Sequence, residues 1–193
     1  KAVVYCRQAA QHAEAIFAYD AAIRHLRAAL DLLAVEGSAD ERIATLEQLG
    51  DALRLDGERD EALATYAEAL DRWRDQPERQ CWAGVRLCRK IGEMFLHLAT
   101  GAQMDRFAVT ARASRELGLA LIAGVPPHPE AVRLLATLAD DARGVHTGQD
   151  WDAAERFARE AVSMAETLDT PVELAIALEA LQTVYGVRGL LRE

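Results

Sequence analysis

The chain has 193 residues, a formal net charge of −9 and a hydrophobic content of 51%, of which aromatic residues contribute only 6%. Because nucleic-acid phosphates are neutralised by clustered Lys and Arg, this acidic balance argues against a nucleic-acid-binding surface. The apolar residues are mostly Ala and Leu, no apolar run reaches about 18 residues, and no basic segment precedes an apolar core. The sequence therefore predicts an all-α chain with neither a membrane span nor a signal peptide.

The first predicted helices cover residues 2–17 and 20–36. Small apolar residues recur on both at helical spacing, namely Cys6, Ala9, Ala10 and Ala13 on the first and Ala22, Leu26 and Ala29 on the second. Gly37 ends this pair, and a side-chain oxygen of Ser38 or Asp40 can cap the helix that follows.

The second pair, residues 39–76, carries the most complete pattern in the chain. Its first helix repeats large apolar residues beside a glycine, Gly57 marks the turn, and a small–aromatic–small run follows: Leu46, Leu49, Gly50 and Leu53, then Ala62, Tyr66 and Ala69. Gly50 and Ala62 are small where two helices must cross closely, whereas the leucines and Tyr66 supply bulk around the crossing.

This order of residues resembles the tetratricopeptide repeat (TPR), a helix–turn–helix unit with a period of about 34 residues. The resemblance implies a right-handed α-solenoid of about four and a half helix pairs, or roughly nine helices. Each first helix would then line an inner, concave wall.

A third pair is predicted at Glu78–Thr100 and Asp105–Ala123 after the stop at Pro77. Its first helix matches the second pair through Cys88, Ile91, Gly92 and Phe95. The loop around Gly101 is expected to be about three residues longer than its counterpart. Residues 124–130, which contain three prolines, are predicted to form a stiff turn between repeats.

The fourth pair is predicted at Glu130–Val145 and Trp151–Leu168, with Gly148 in the turn. Thr170 and Pro171 then open a last helix as capping residue and first-turn proline. Residues 173–189 follow residues 41–57 without a gap, so the pattern divides the chain into repeats at 2–36, 39–76, 78–123, 128–168 and a truncated 171–193. Together with the start at Lys1, this predicts a single array that is a fragment of a larger protein. Trp73, Trp82 and Trp151 are expected to cover seams between repeats.

The resemblance also implies which side chains face a bound partner. They are the polar residues of the inner positions of the first helices: Arg7, Gln11, Glu14, Glu47, Asp51, Arg54, Arg86, Arg89, Glu93, His97, Arg133, Asp140, Arg143, Glu179 and Thr183. This mixed-sign wall predicts binding of a protein segment, a peptide or an anionic small ligand. The alternative is that these residues are ordinary solvated faces of amphipathic helices.

No catalytic or cofactor-binding motif is present. The five histidines have no HExxH spacing, the three cysteines form no CxxC pair, and phosphate-binding glycine loops are absent from the sequence. We therefore predict a non-enzymatic chain that needs no metal or cofactor. An odd number of thiols on helices indicates a reduced, cytoplasmic setting.

A finer resemblance concerns AEAIFAYDAAIRHLRAALDLL at 13–33 and LEQLGDALRLDGERDEALATYAEAL at 46–70. These stretches are similar to the repeat region of large bacterial signal-transduction proteins, including LuxR-type regulators with an ATPase and ATPases linked to adenylyl cyclase. That similarity implies a partner-binding sensor arm of a signalling or transcriptional regulator. A stand-alone scaffold or adaptor protein, and self-association through the last helix, are the alternatives.

Overall fold

The computed structural model describes residues 1–76, 81–96, 101–143 and 149–189. Over these ranges the chain is all-α, as predicted, with nine helices and no strand. The helices are α1 (Ala2–Ala15), α2 (Tyr19–Glu36), α3 (Ala39–Asp56), α4 (Arg59–Arg74), α5 (Cys81–Leu96), α6 (Gly101–Ile122), α7 (Pro129–Ala142), α8 (Trp151–Leu168) and α9 (Pro171–Arg188).

Three predicted boundaries are wrong by two or more residues. Helix α1 ends at Ala15 instead of residue 17, because Phe17 has a left-handed φ of 60° that a helix does not contain. Gly101 is the first residue of α6 rather than part of a loop, because the helix-forming residues Ala102, Gln103 and Met104 follow it directly. Helix α7 ends at Ala142 instead of Val145, since the Ala142 carbonyl accepts a hydrogen bond from the Asp150 N–H at 2.8 Å. The predicted stop at Pro77, the turn at Gly148 and the candidate site residue His97 lie outside the described residues.

The ends of α3 show how local chemistry fixes a helix. Ser38 is the N-cap: its hydroxyl accepts from the Glu41 N–H at 3.2 Å while the Glu41 carboxylate accepts from the Ser38 N–H at 3.2 Å. At the other end Gly57 has φ 96°, the left-handed conformation that glycine adopts without a Cβ clash. Ser38, rather than the alternative Asp40, is therefore the residue whose side chain caps α3.

Contact density divides the chain into two units, residues 1–87 and 88–193. In unit 1, α1 packs on α2, α2 on α3 and α3 on α4. The predicted close crossing is present here: a Cβ at Gly50 would lie 2.5 Å from Tyr66 Cε1, and Ala62 is fully buried. Trp73 of α4 packs in the same way on Gly84 of α5, as expected for a seam residue.

In unit 2, α7 packs on α8, and α9 contacts both of them. The core among these three helices is built largely of alanine, from Ala136, Ala139 and Ala142 of α7 to Ala154 and Ala158 of α8 and Ala180 of α9. Such small side chains let helix axes approach closely, so that burial depends on backbone proximity more than on bulky residues. In the ranges described, no helix combines the length and the apolar character that a bilayer crossing requires.

Candidate interaction surface

The first members of the helix pairs, α1, α3, α5, α7 and α9, are called the first helices below. In unit 1 their polar side chains bind one another. Arg7 Nε of α1 donates to Gln48 Oε1 of α3 at 3.0 Å. Arg86 of α5 donates two hydrogen bonds, at 2.6 and 2.8 Å, to the buried carboxylate of Glu47. This bidentate, charge-assisted pair satisfies a carboxylate that would otherwise be costly to bury.

A second polar group in unit 1 surrounds Asp51. Its Oδ1 accepts a hydrogen bond from the hydroxyl of Tyr66 at 2.7 Å. Burial, and then the Asp51 charge, raise the pKa of Tyr66, so the phenol stays a protonated donor. The pKa of Glu14 on α1 is also raised, first by burial and then by Asp51. The remaining predicted residues here, Gln11 and Arg54, are exposed.

In unit 2 two arginines join three first helices. Arg89 of α5 donates to Glu93 on its own helix at 2.5 Å and to Glu130 of α7 at 3.2 Å. Arg133 of α7 donates to Glu130 at 3.5 Å and to the buried Glu173 of α9 at 2.7 Å. Burial opposes ionisation of Glu173, but its own backbone N–H and Arg133 outweigh burial, and the pKa of Glu173 is lowered.

The residues joined by these bonds between first helices lie 39 to 41 positions apart in the sequence. The residues of the pairs Arg7–Gln48, Glu47–Arg86, Arg89–Glu130 and Arg133–Glu173 lie 41, 39, 41 and 40 positions apart. Sequence reasoning found one partner in three of these pairs but missed Gln48, Glu130 and Glu173. A search for opposite charges about 40 residues apart would have found the two glutamates.

Unit 2 also has a groove of about 550 Å³ across α5, α7 and α9. Its apolar lining consists of Ala136, Ile176 and Ala180, and Thr137 and Thr183 also line it. Seven predicted site residues line it: Arg89, Glu93, Arg133, Asp140, Arg143, Glu179 and Thr183. The structure thus brings together seven of the fifteen predicted residues, whereas those of α1 and α3, and Arg86 of α5, belong to unit 1.

Charge in the groove is balanced, because its lining holds three arginines and three acidic residues. Arg89 is held by two carboxylates, but among the described residues Arg143, the C-cap of α7, binds only Asp140, at 2.7 and 3.1 Å. A guanidinium has five N–H donors, so Arg143 retains hydrogen-bonding capacity toward a ligand. Within the described ranges no cluster of three His, Cys, Asp or Glu side chains has the arrangement of a metal site.

The fold and this surface define an all-α chain of consecutive helix pairs whose first helices are joined by polar bonds. No protein-family model matches the chain, and no curated protein shows significant sequence similarity to it.

Proposed function

We propose that this chain is a TPR-like α-solenoid that binds an extended peptide segment of a partner protein in the groove of unit 2. The proposal rests on this groove, because its lining combines apolar residues of α7 and α9 with charged residues at α5, α7 and α9. Its volume falls within the range of about 300–1,000 Å³ typical of ligand sites.

The length of the groove sets the length of the bound segment. Arg133 of α7 and Arg143, the C-cap of that helix, lie ten residues apart, which corresponds to about 15 Å along a helix. An extended chain advances about 3.3 Å per residue, so the segment has about five residues in contact. Its central side chain would be small and apolar, to rest on Ala136, Ile176 and Ala180.

The charges in and around the groove support a peptide over an anionic small ligand. Glu130 and Glu173 add two carboxylates beside the three arginines and three acidic residues of the lining. An anionic small ligand would be repelled by that excess of acid. A peptide is favoured, since its backbone is neutral and its side chains can pair with both signs.

In the natural protein we place this groove in a sensor arm of a bacterial signalling or transcriptional regulator. Occupancy of the groove would bias a switch elsewhere in that protein. The alternative role is a stand-alone TPR scaffold, in which binding itself is the function. In neither role does the chain catalyse a reaction or contact nucleic acid.

A peptide-display selection on the intact chain tests the binding function. Each enriched peptide is synthesised, and its Kd is measured on the wild type, Thr183→Trp and Arg143→Ala. Thr183→Trp fills the groove and should weaken binding at least about tenfold, which corresponds to about 1.4 kcal/mol. Arg24→Ala is the matched control, because Arg24 also pairs with a carboxylate on its own helix but lies on α2.

Enriched peptides that bind the wild type and Thr183→Trp equally would contradict the groove as the binding site. The sensor role has a separate test, in which Thr183→Trp is introduced into the natural protein. If peptide binding is lost while the protein's output is unchanged, the sensor role is wrong and the scaffold role stands.

A further inference from the structure

Arg143 differs from the other two arginines that line the groove of unit 2. Arg89 and Arg133 each donate a hydrogen bond to a glutamate of a neighbouring first helix. Arg143 instead donates from Nε and Nη2 to a single oxygen, Oδ1 of Asp140, at 3.1 and 2.7 Å. The N–H groups of its Nη1 form no hydrogen bond with the described residues, so one edge of this guanidinium is unused.

The sequence repeat accounts for this difference. Bonds between first helices join residues that lie 39 to 41 positions apart, and each of the other two groove arginines has a glutamate at such a distance. The residues at the same distances from Arg143 are Ala-Gln-Met at 102–104 and Gln-Thr-Val at 182–184. None of them is acidic. The neighbouring repeats therefore supply no carboxylate to Arg143 at the spacing that serves the other arginines.

The bond to Asp140 leaves Arg143 accessible to a ligand. The two residues lie three positions apart, and the side chains of Arg143 and Asp140 are 27% and 39% exposed. An exposed ion pair at this spacing contributes little to stability. A guanidinium binds a carboxylate most strongly through two parallel N–H···O bonds, which Asp140 does not provide because both donors share one of its oxygens. The edge formed by Nη1 and Nη2 can therefore accept a second carboxylate.

We propose that the peptide bound in this groove carries an aspartate or glutamate side chain that pairs with Arg143. This inference rests on the proposed peptide-binding function. The ligand proposed there is an internal segment of a partner protein, so the carboxylate belongs to a side chain and not to a chain terminus. The peptide then supplies to Arg143 the carboxylate that a glutamate of a neighbouring first helix supplies to Arg89 and Arg133.

The excess of acid around the groove is compatible with this pairing. A free anion must overcome the repulsion with the Arg143 contact alone. A peptide carboxylate is held beside Arg143 by its neighbours in the peptide, which contact Ala136, Ile176 and Ala180 in the same groove. The second binding contact is then intramolecular and has a high effective concentration.

Two peptide-display selections on the intact chain test the pairing. Both use one library of randomised five-residue segments with fixed Gly-Ser residues on either side; one selects on the wild type and the other on Arg143→Glu. Segments enriched on the wild type should have Asp or Glu at one position, and those enriched on Arg143→Glu should have Lys or Arg there. A variant that merely failed to fold could not produce this second preference.

Kd measurements on synthetic peptides then quantify the charge exchange. Replacing the enriched acid by Lys should weaken binding to the wild type at least about tenfold and strengthen binding to Arg143→Glu at least about tenfold. Arg24→Glu is the matched control, because Arg24 also binds a carboxylate of its own helix but belongs to unit 1; it should change neither Kd. Each peptide is made with a free and with an amidated C-terminus, and the two forms should bind equally.

The outcomes separate this inference from the groove itself. Peptides that lose binding in Thr183→Trp but show no acid preference, or bind Arg143→Glu as tightly as the wild type, would overturn the inference and leave the groove in place. A loss of binding on amidation would assign the carboxylate to a chain terminus and would also overturn it. Peptides that bind Thr183→Trp and the wild type equally, or selections that enrich no peptide, would overturn both.

Discussion

At the scale of single residues, the closest packing occurs where a large side chain lies against a glycine, which has no Cβ. Gly50 and Tyr66 fit because glycine leaves room for the ring, and the Tyr66 hydroxyl then reaches Asp51 at 2.7 Å. The sequence predicted this crossing from the small and large residues alone. It did not predict the Asp51 bond, because a pattern of apolar residues carries no information about which polar atom a buried phenol will meet.

Gly50→Ala should therefore lower the free energy of unfolding by about 1–3 kcal/mol, the usual cost of overpacking. The cause is the Cβ, which would lie 2.5 Å from the Tyr66 ring. In a Tyr66→Ala background the clash disappears, and Gly50→Ala should become stabilising by up to about 1 kcal/mol through helix propensity. Urea denaturation of the four variants measures the coupling. Equal effects of Gly50→Ala in both backgrounds would show that the ring does not set the constraint.

Phe17 is a large residue at a turn position where the backbone conformation favours glycine. It has φ 60° and a side chain that is 77% exposed, whereas the turn after α3 uses Gly57 at φ 96°. We expect Phe17→Gly to stabilise the chain by about 0.5–1 kcal/mol, because it removes the left-handed strain and little buried area is lost. Gly57→Ala, at the equivalent turn, should destabilise by about 1 kcal/mol. Thermal unfolding compares them, and a lower Tm for Phe17→Gly would mean that the exposed ring contributes more than the strain costs.

At the scale of helices, most bounds follow from local chemistry. Helix α8 occupies the predicted residues Trp151–Leu168, and Asp150 caps it by accepting from the Ala153 N–H at 2.9 Å. Two of the wrong bounds, the start of α6 and the end of α7, lie where the signal of one residue competes with its surroundings. The comparison with the second pair predicts a loop around Gly101, but the residues after it favour helix. The end of α7 depends on Asp150, eight residues beyond Ala142, which no local window includes.

The capping box of α3 should stabilise the chain through Ser38 and not through Asp40, the other residue that could cap this helix. Ser38→Ala removes the hydroxyl that accepts from Glu41 N–H and should cost about 1 kcal/mol. Asp40→Ala, at the other candidate cap, should cost only a few tenths of a kcal/mol, since Asp40 acts through the helix dipole alone. Urea midpoints at low salt distinguish the two. A larger loss from Asp40→Ala would assign the cap to Asp40.

The bond between α7 and α9 should make stability depend on pH. The pKa of Glu173 is lowered from 4.5 in the folded chain, so the folded state resists protonation more than the unfolded state does. Its contribution is therefore complete above pH 4.5 and declines as the pH falls through the folded-state pKa. The stability difference between wild type and Glu173→Gln should be larger at pH 7 than at about pH 3.5. Glu166→Gln on α8 makes the same charge change at an exposed position and should show no such difference.

At the scale of the whole molecule, the described helices α1–α4 of unit 1 and α7–α9 of unit 2 pack mainly on their neighbours in sequence. This was predictable, because the small–large pattern repeats about every 40 residues. The groove was predictable only in part. The sequence placed seven of its lining residues on first helices, but the charge balance depends on Glu130 and Glu173, which the pattern did not single out as site residues. The sequence did not predict that Leu178 is 47% exposed, because its neighbours in sequence closely match those of Leu46, which is 4% exposed.

Because helices pack mainly on their neighbours in sequence, we expect a destabilising substitution to affect only the helices near it. Gly50→Ala should accelerate native-state amide exchange about tenfold or more in α3 and α4, which lose the crossing itself. Helices α7, α8 and α9, which pack on one another in unit 2, should change less than about twofold, because in a one-dimensional array each pair is stabilised by its own contacts and those of its neighbours. Hydrogen–deuterium exchange of the intact chain, resolved by peptide, measures both. An equal loss of protection in α8 and in α4 would show that the chain unfolds as one cooperative body, and the nearest-neighbour description would then be wrong.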